Sequence, residues 1–164
     1  MRSTGEVMGV GRSFGAAFAR AEEAANIKAP GGGKAFISVR DPDKQRVVPV
    51  AHDLVRRGYT LVATRGTATF LRDQGLACEV INKVMEGRPH VVDLIKNGEI
   101  AYIVNTTEGR QAISDSFSIR REALQQRVTY STTIAGAKAL LHSLDYRDSG
   151  PVWSLQELHK ELSA

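Results

Sequence analysis

Five short stretches of the chain gather the kinds of groups that hold an anion. They are Ser38-Val39-Arg40 with Lys44 just beyond, Thr64-Arg65-Gly66-Thr67, Asn82-Lys83, Asn105-Thr106-Thr107-Glu108-Gly109-Arg110, and Ser131-Thr132-Thr133. Each follows an apolar run, and each supplies hydroxyls, amides or cations. Hydroxyl and amide donors give direction, and lysine and arginine give charge. Gly66 would let the backbone approach a phosphate closely, and a helix starting near Thr67 would aim its positive end at it. Two readings are open on these residues alone. Threonines cap helices and glycine makes turns without any ligand, or the stretches converge on one anion site.

Other groupings suggest less chemistry. Gly9-Val10-Gly11-Arg12-Ser13-Phe14-Gly15 is glycine-rich but matches neither the dinucleotide fingerprint nor a Walker A loop, and no clear strand precedes it. It reads as a turn or loop. His52, His90, His142 and His159 lack metal-ligand spacing, and Cys78 has no partner cysteine, so no metal site is expected. His90 lies close enough to the third strand's end to touch a ligand there. Cys78 reads as buried and inert within a strand. No nucleophile elbow with histidine and aspartate partners is present, so no catalytic residue is expected. Arg56-Arg57 and Arg120-Arg121 fall on helices as solvated faces. Aromatics make up 6% of the chain and do not interleave with the basic residues, which argues against a nucleic-acid platform.

The elements that would position the five stretches alternate. A helix over Arg12 to Ala25 comes first, followed by Ala29-Pro30-Gly31-Gly32-Gly33, a linker by composition. Beyond it, Lys34 to Val39 is a strand and Asp43 to Gly58 a helix, with Pro49 as a kink or a cost. Strand Thr60–Thr64 precedes a short helix that begins near Thr67 and closes at Gly75. Strand Ala77–Asn82 precedes a helix over His90 to Gly98. Strand Ile100–Thr106 precedes a helix over Asp115 to Gln126, and strand Arg127–Thr132 precedes a helix over Thr133 to Leu144. Ser154 caps a last amphipathic helix. Five strands, each followed by a helix, predict an α/β fold: a five-stranded parallel sheet with helices on both faces, Rossmann-like and three-layered. Ligands of such sheets bind beyond the carboxyl ends of the strands, where all five stretches fall.

Composition sets the outer bounds. The 164 residues fit one domain, or one domain with an appendage, and 42% hydrophobic content suffices for a core. A net charge of +4 and a pI of about 9.4 suit an anionic small ligand as well as nucleic acid. No apolar run reaches the roughly 20 residues of a membrane span, so no membrane partner is expected. A single cysteine suits a reducing compartment, and the expected location is cytoplasmic.

The quoted stretches resemble a known family. "ISVRDPDK", "LVATRGTATFLRDQG", "INKVMEGRPHVVDLIKNGEI", "IVNTTEGR", "DSFSIRR" and "TYSTTIAGA" are similar to the C-terminal regulatory domain of the carbamoyl phosphate synthetase large subunit. That domain belongs to the methylglyoxal-synthase-like fold group. The resemblance covers about residues 33 to 164, and residues 1–28 resemble the end of the preceding ATP-grasp synthetase unit. It implies a fragment of a larger protein: 1–28 the tail of that unit, 29–33 the linker, and 34–164 a regulatory nucleotide-binding domain.

The resemblance implies UMP as inhibitor and IMP as activator, bound at overlapping positions. The phosphate would meet Lys44, Thr64, Gly66, Thr67 and Lys83. Asn105 and Thr107 would face the ribose or phosphate, and Ser38, Asp115, Ser118 and Ile119 the base and ribose. Ser118 stands where the family carries valine. Tyr130 and Thr132 match ornithine contacts, with Ser131 in place of an aspartate, while the acidic partners of the ornithine amine lie in a part of the protein absent here. No cofactor is implied for the fragment. The parent enzyme, an ATP-dependent ligase of pyrimidine and arginine biosynthesis, uses ATP, Mg and K. The implied partners are the remainder of the large subunit, the glutaminase small subunit through it, and a second copy of the chain. The same fold group includes methylglyoxal synthase, a phosphate-eliminating lyase whose aspartate base sits in a "GGDQQ" segment. The matching stretch here is "EGRPH", with Arg88 in the aspartate's place. Arginine stays protonated at neutral pH and cannot serve as that base.

Overall fold

Alternation along Lys34-Ala35-Phe36-Ile37 sends Phe36 to one face of a sheet and Ala35 and Ile37 to the other, all three fully buried. A strand buried on both faces needs a layer of helices over each. The computed structural model describes residues 6–27, 31–106, 110–147 and 153–162, without the side chains of 110–115 and 162. It shows that arrangement. Strands β1 (Gly33–Ser38), β2 (Tyr59–Thr64), β3 (Cys78–Ile81), β4 (Ile100–Asn105) and β5 (Thr129–Ser131) form one parallel sheet in the order β3-β2-β1-β4-β5.

Helices α2 (Lys44–Arg56), α3 (Arg65–Asp73) and α6 (Ile134–Ser143) cover one face, burying Val47, Leu54, Leu71 and Leu141 against Ile37 and Val104. Helices α4 (Val91–Lys96) and α5 (Arg110–Gln125) cover the other, burying Val91, Ile95 and Ile119 against Phe36, Val62 and Ile103. Pro49 does not break α2. It lies on the exposed side of the helix, where a carbonyl deprived of its N–H partner can be met by water. Cys78 is buried in β3, and burial pushes its thiol up to about 11.

Several boundaries depart from the sequence expectation. α3 begins at Arg65, so Thr67 lies in its first turn instead of at its start, and the extended residue at the cap is Thr64. α5 begins at Arg110, ahead of the expected Asp115. β5 has three residues. Residues 29 and 30 of the expected linker lie outside the described residues.

Helix α1 (Phe14–Ala24), which a linker at 29–33 would set apart from the sheet domain, packs onto its core instead. Ser13 caps it, its hydroxyl accepting from the Ala16 amide at 3.2 Å. Ala19 is buried, and Phe18 packs against the α2/α6-side core. Gly15 sits against Tyr146, where a Cβ would fall 2.4 Å from the ring. Small residues one helical turn apart let α1 lie close to the end of α6. The last helix, α7 (Leu155–Leu162), has Ser154 before it, whose hydroxyl accepts from the Glu157 amide at 3.1 Å. Arg12 pairs with Glu161 and lies 5.9 Å from the centre of the Trp153 ring, tying the described N-terminal segment to the C-terminal helix.

Candidate functional site

All strands run the same way, so their carboxyl ends share one edge. The strand order reverses between β1 and β4, and the crevice outside that switch point is where open α/β sheets take ligands. Register sets the residues level: Ser38 pairs with Asn105, Ile37 with Ala63, and Thr64 with Ile81.

On the β1/β2 side the hydroxyls meet loosely. Ser38 Oγ lies 3.4 Å from Thr64 Oγ1, and Thr64 Oγ1 lies 3.5 Å from Thr67 Oγ1. The Val39 amide donates to Thr67 Oγ1 at 3.4 Å. Thr64 and Thr67 are buried, while Gly66 between them is exposed. Thr64 occupies the cap position of α3, yet its hydroxyl does not cap the helix and turns toward Ser38. The first amides of α3 are therefore not met by that side chain. A Cβ on Gly66 would have one neighbour within 4 Å, Lys44 Nζ at 3.9 Å. The Lys44 ammonium thus stands beside the glycine at the start of α3. Asp41 holds it at 2.8 Å, and the Asp41 carboxyl, lowered by that hydrogen bond, is itself largely exposed. A solvent-screened surface pair of this kind adds little to stability and leaves the ammonium able to exchange its partner.

At the switch point a carboxylate ties the two sides together. Asp43 is 3% exposed and accepts from Arg40 Nε at 2.8 Å and from Arg46 at 3.2 Å. Thr106, buried at the end of β4, hydrogen-bonds Asp43 and accepts from the Arg40 amide at 3.2 Å. The Arg40 hydrogen bond, then those of Thr106 and the nearby guanidinium charges, hold the Asp43 carboxyl below the usual range against the opposing effect of burial.

On the β4/β5 side the polar groups are closed on one another. Asn105, 3% exposed, donates through Nδ2 to the Tyr130 hydroxyl at 2.7 Å and to Ser116 Oγ at 3.2 Å. Tyr102 and Ser131 hydroxyls meet at 2.7 Å on the opposite face of the sheet. Burial and neighbouring groups raise the Tyr102 phenol.

The structure thus brings Ser38, Lys44, Thr64, Gly66 and Thr67 together, with Asn105 across the switch point. Lys83 is exposed two residues past β3, opening a 3-10 turn over Val84–Glu86. Ser118 is half-buried on α5, and Ile119 is buried in the α4/α5-side core. Tyr130 is half-buried and Thr132 exposed. Thr107 and the Asp115 side chain lie outside the described residues. His90 precedes α4, its amide donating to Asp93 at 3.0 Å. Arg88 is exposed and 3.7 Å from Asp93. Sequence reasoning did not single out Asp43 or Ser116. Asp43 resembles an ordinary helix-start acid, and Ser116 is one serine among several in α5.

Such a rim on a 3-2-1-4-5 sheet defines a class. A model of the MGS-like domain matches residues 46–132, and the chain belongs to that family. Its full length is 80% identical to part of the carbamoyl phosphate synthase large chain of Xanthomonas campestris, and 79% identical to that of Xanthomonas axonopodis. Over 163 residues it is 54% identical to the large chain of Pasteurella multocida. The chain spans 15% of the length of each of these relatives. Among solved structures, methylglyoxal synthase from Elizabethkingia anophelis superposes with a TM-score of 0.56 over 80% of this chain and 92% of that one. At 14% identity that likeness shows a shared fold. Among the described residues no helix is long and apolar enough to cross a membrane.

Proposed function

We propose that the chain is an effector-binding domain of a carbamoyl phosphate synthase large chain, taking UMP as inhibitor and IMP as activator at the β1/β2 rim. The observation that carries this is the loose hydroxyl set of Ser38, Thr64 and Thr67 beside Gly66 and the Lys44 ammonium. These hydroxyls keep bonding capacity for an incoming phosphate, and the amides at the start of α3 add to it. Lys83 adds charge from the β3 side. Asn105, Thr107 and Asp115 complete the ribose side, with Ser118 and Ile119 nearer the base. The domain performs no chemistry itself. Together with the rest of the large chain and a glutaminase subunit it would tune carbamoyl phosphate synthesis from bicarbonate, glutamine-derived ammonia and ATP, for pyrimidine and arginine biosynthesis in the cytoplasm. Ornithine, at Tyr130 and Thr132, is the proposed third effector.

The lyase alternative within the same fold finds less support. Arg88 stands where the resemblance puts the base of methylglyoxal synthase, and a guanidinium does not accept a proton at neutral pH.

A thermal-shift panel of UMP, IMP, ornithine and inorganic phosphate tests the proposal. A ligand at 100 times its dissociation constant stabilises the folded chain by about 2.7 kcal/mol. UMP and IMP should each raise the melting temperature and displace one another. No response to either nucleotide, or simultaneous binding of both to one chain, would overturn the reading. Methylglyoxal formed from dihydroxyacetone phosphate above a protein-free blank would move it to the lyase.

A further inference from the structure

Asp43 stands at the cap position of α2, where a carboxylate commonly accepts from the helix's own first amides, yet its side chain makes no such bond. It is turned aside. Its oxygens accept from Arg40 Nε at 2.8 Å and from Arg46 at 3.2 Å, and the Thr106 hydroxyl donates to the same carboxylate. Thr106 also holds the chain that leads to Asp43. Its amide donates to the Ser38 carbonyl at 3.0 Å, and its hydroxyl accepts from the Arg40 amide at 3.2 Å. One threonine at the end of β4 thus fastens the turn between β1 and α2 at Ser38, Arg40 and Asp43.

The residue after Asp43 is Lys44, whose ammonium lies beside Gly66. Asp41 holds that ammonium at 2.8 Å, but Asp41 sits on the same turn with its side chain 89% exposed, so it moves as the turn moves. Where Lys44 meets α3 therefore depends on where the turn sets the start of α2. Asp43 itself is 3% exposed, and a buried carboxylate one residue from the cation opposes an incoming anion by its charge. On charge alone it is the wrong residue for this place.

We infer that Asp43 is a positioning residue of the rim: bonded to Thr106, it fixes the β1–α2 turn to the end of β4 and so sets the Lys44 ammonium against Gly66 for a phosphate. The inference rests on the effector reading for what the rim binds. Residues that act in one network show their coupling when each is altered with and without the other.

Titration calorimetry with UMP and with inorganic phosphate on the 164-residue chain separates aim from charge, because the two predict opposite signs. Removing a negative charge beside an anion site strengthens binding if charge is all that matters. Asp43→Asn puts an amide donor among the donors of Arg40, Arg46 and Thr106, so the brace fails. Both ligands should then bind about fivefold more weakly, within the coupling measured for residues of one hydrogen-bond network. In Lys44→Ala, with no ammonium left to aim, adding Asp43→Asn should weaken neither ligand further. Thr106→Val keeps the shape, changes no charge and removes the hydroxyl, and it should weaken both ligands as Asp43→Asn does. Thr106→Ser should bind them as the unaltered chain does. The Lys44 signal in a chain carrying isotope-labelled lysine, assigned by its loss in Lys44→Ala, should move in Thr106→Val and stay in Thr106→Ser. Thr106→Ala takes the place of Thr106→Val should the latter not fold. Tighter binding in Asp43→Asn overturns the inference. So does an equal loss with and without Lys44, or a Lys44 signal that stays in place when the hydroxyl is gone. Should the unaltered chain bind neither ligand, the effector reading falls, and the Lys44 signal alone decides the role of Asp43.

Discussion

The two halves of the rim carry similar residues and use them differently. On the β1/β2 half, Ser38, Thr64 and Thr67 meet at 3.4 and 3.5 Å, well beyond the usual 2.7–2.8 Å of a hydroxyl hydrogen bond. On the β4/β5 half, Asn105 reaches Tyr130 and Tyr102 reaches Ser131, both at 2.7 Å. A group already bonded at its best distance braces the fold. A buried group bonded at its worst has capacity left for a ligand. Residue type at a strand end therefore does not show how much bonding capacity a group keeps for a ligand, and the distances to its neighbours do.

The largest effect should come from breaking the braced half. Asn105→Ala leaves the Tyr130 and Ser116 hydroxyls without their common donor, and Ser116 is 2% exposed. A buried group deprived of its partner costs about 1–3 kcal/mol. In a chain of this size that lowers the melting temperature by roughly 2–4 °C for each kcal/mol. A melting temperature that does not fall would erase the distinction between the halves.

Next come the cations of the open half. Lys44→Ala and Lys83→Ala should each weaken UMP and IMP alike by about tenfold, because the phosphate is common to both and a charge-assisted bond is worth about 1.5–3 kcal/mol. Stability should move by under about 0.5 kcal/mol in each case, since neither ammonium supports the core. Titration calorimetry paired with thermal melts reads both quantities. A loss of stability matching the loss of binding would make these lysines braces too.

Asp43 joins the halves and gives the comparison a pH axis. Its carboxyl is held below the usual range in the folded chain by Arg40 first, then by Thr106 and Arg46. A depressed folded value means that the unfolded chain takes up protons first as pH falls. The stabilisation is complete above about pH 4–5, is lost as pH falls through the unfolded and then the folded value, and is absent below both. Stability should thus be flat toward neutrality and decline in acid, and Asp43→Asn should flatten part of that decline. Denaturant melts across the acid range would show an unchanged slope if the seam at Thr106 carries no weight.

Much of this was legible in the sequence, and the misses have physical causes. Apolar runs ending in hydroxyls marked the strands and their common edge, because burial on both faces leaves few other patterns. The start of α3 was read two residues late. Thr67 was read as the helix start, whereas the cap position falls to Thr64, whose hydroxyl is drawn to Ser38 across the sheet. The glycine run after α1 suggested separation from the sheet domain. Gly15 and Ala19 were the signal for contact, but small residues one turn apart are common in any helix. The link from Asn105 to Tyr130 left no trace in the sequence, since it depends on β4 and β5 pairing Ile103 with Tyr130.

The smallest expected effect makes the sharpest test, because its two readouts should move in opposite directions. Gly66 lies inside α3 with helical backbone, and no positive φ requires glycine there. A methyl group would meet only Lys44 Nζ, at ordinary contact distance. The fold therefore has no use for a glycine at this position, and glycine in a helix costs about 0.5–1 kcal/mol relative to alanine. Gly66→Ala should raise stability by about that amount. The same methyl group would occupy the approach to the α3 amides beside Lys44, so binding of UMP, IMP and inorganic phosphate should weaken together. Melts of the free chain and titrations of all three ligands decide it. If alanine stabilises the chain and leaves all three affinities intact, the phosphate does not sit against Gly66, and the loose hydroxyls of Thr64 and Thr67 serve the helix turn alone.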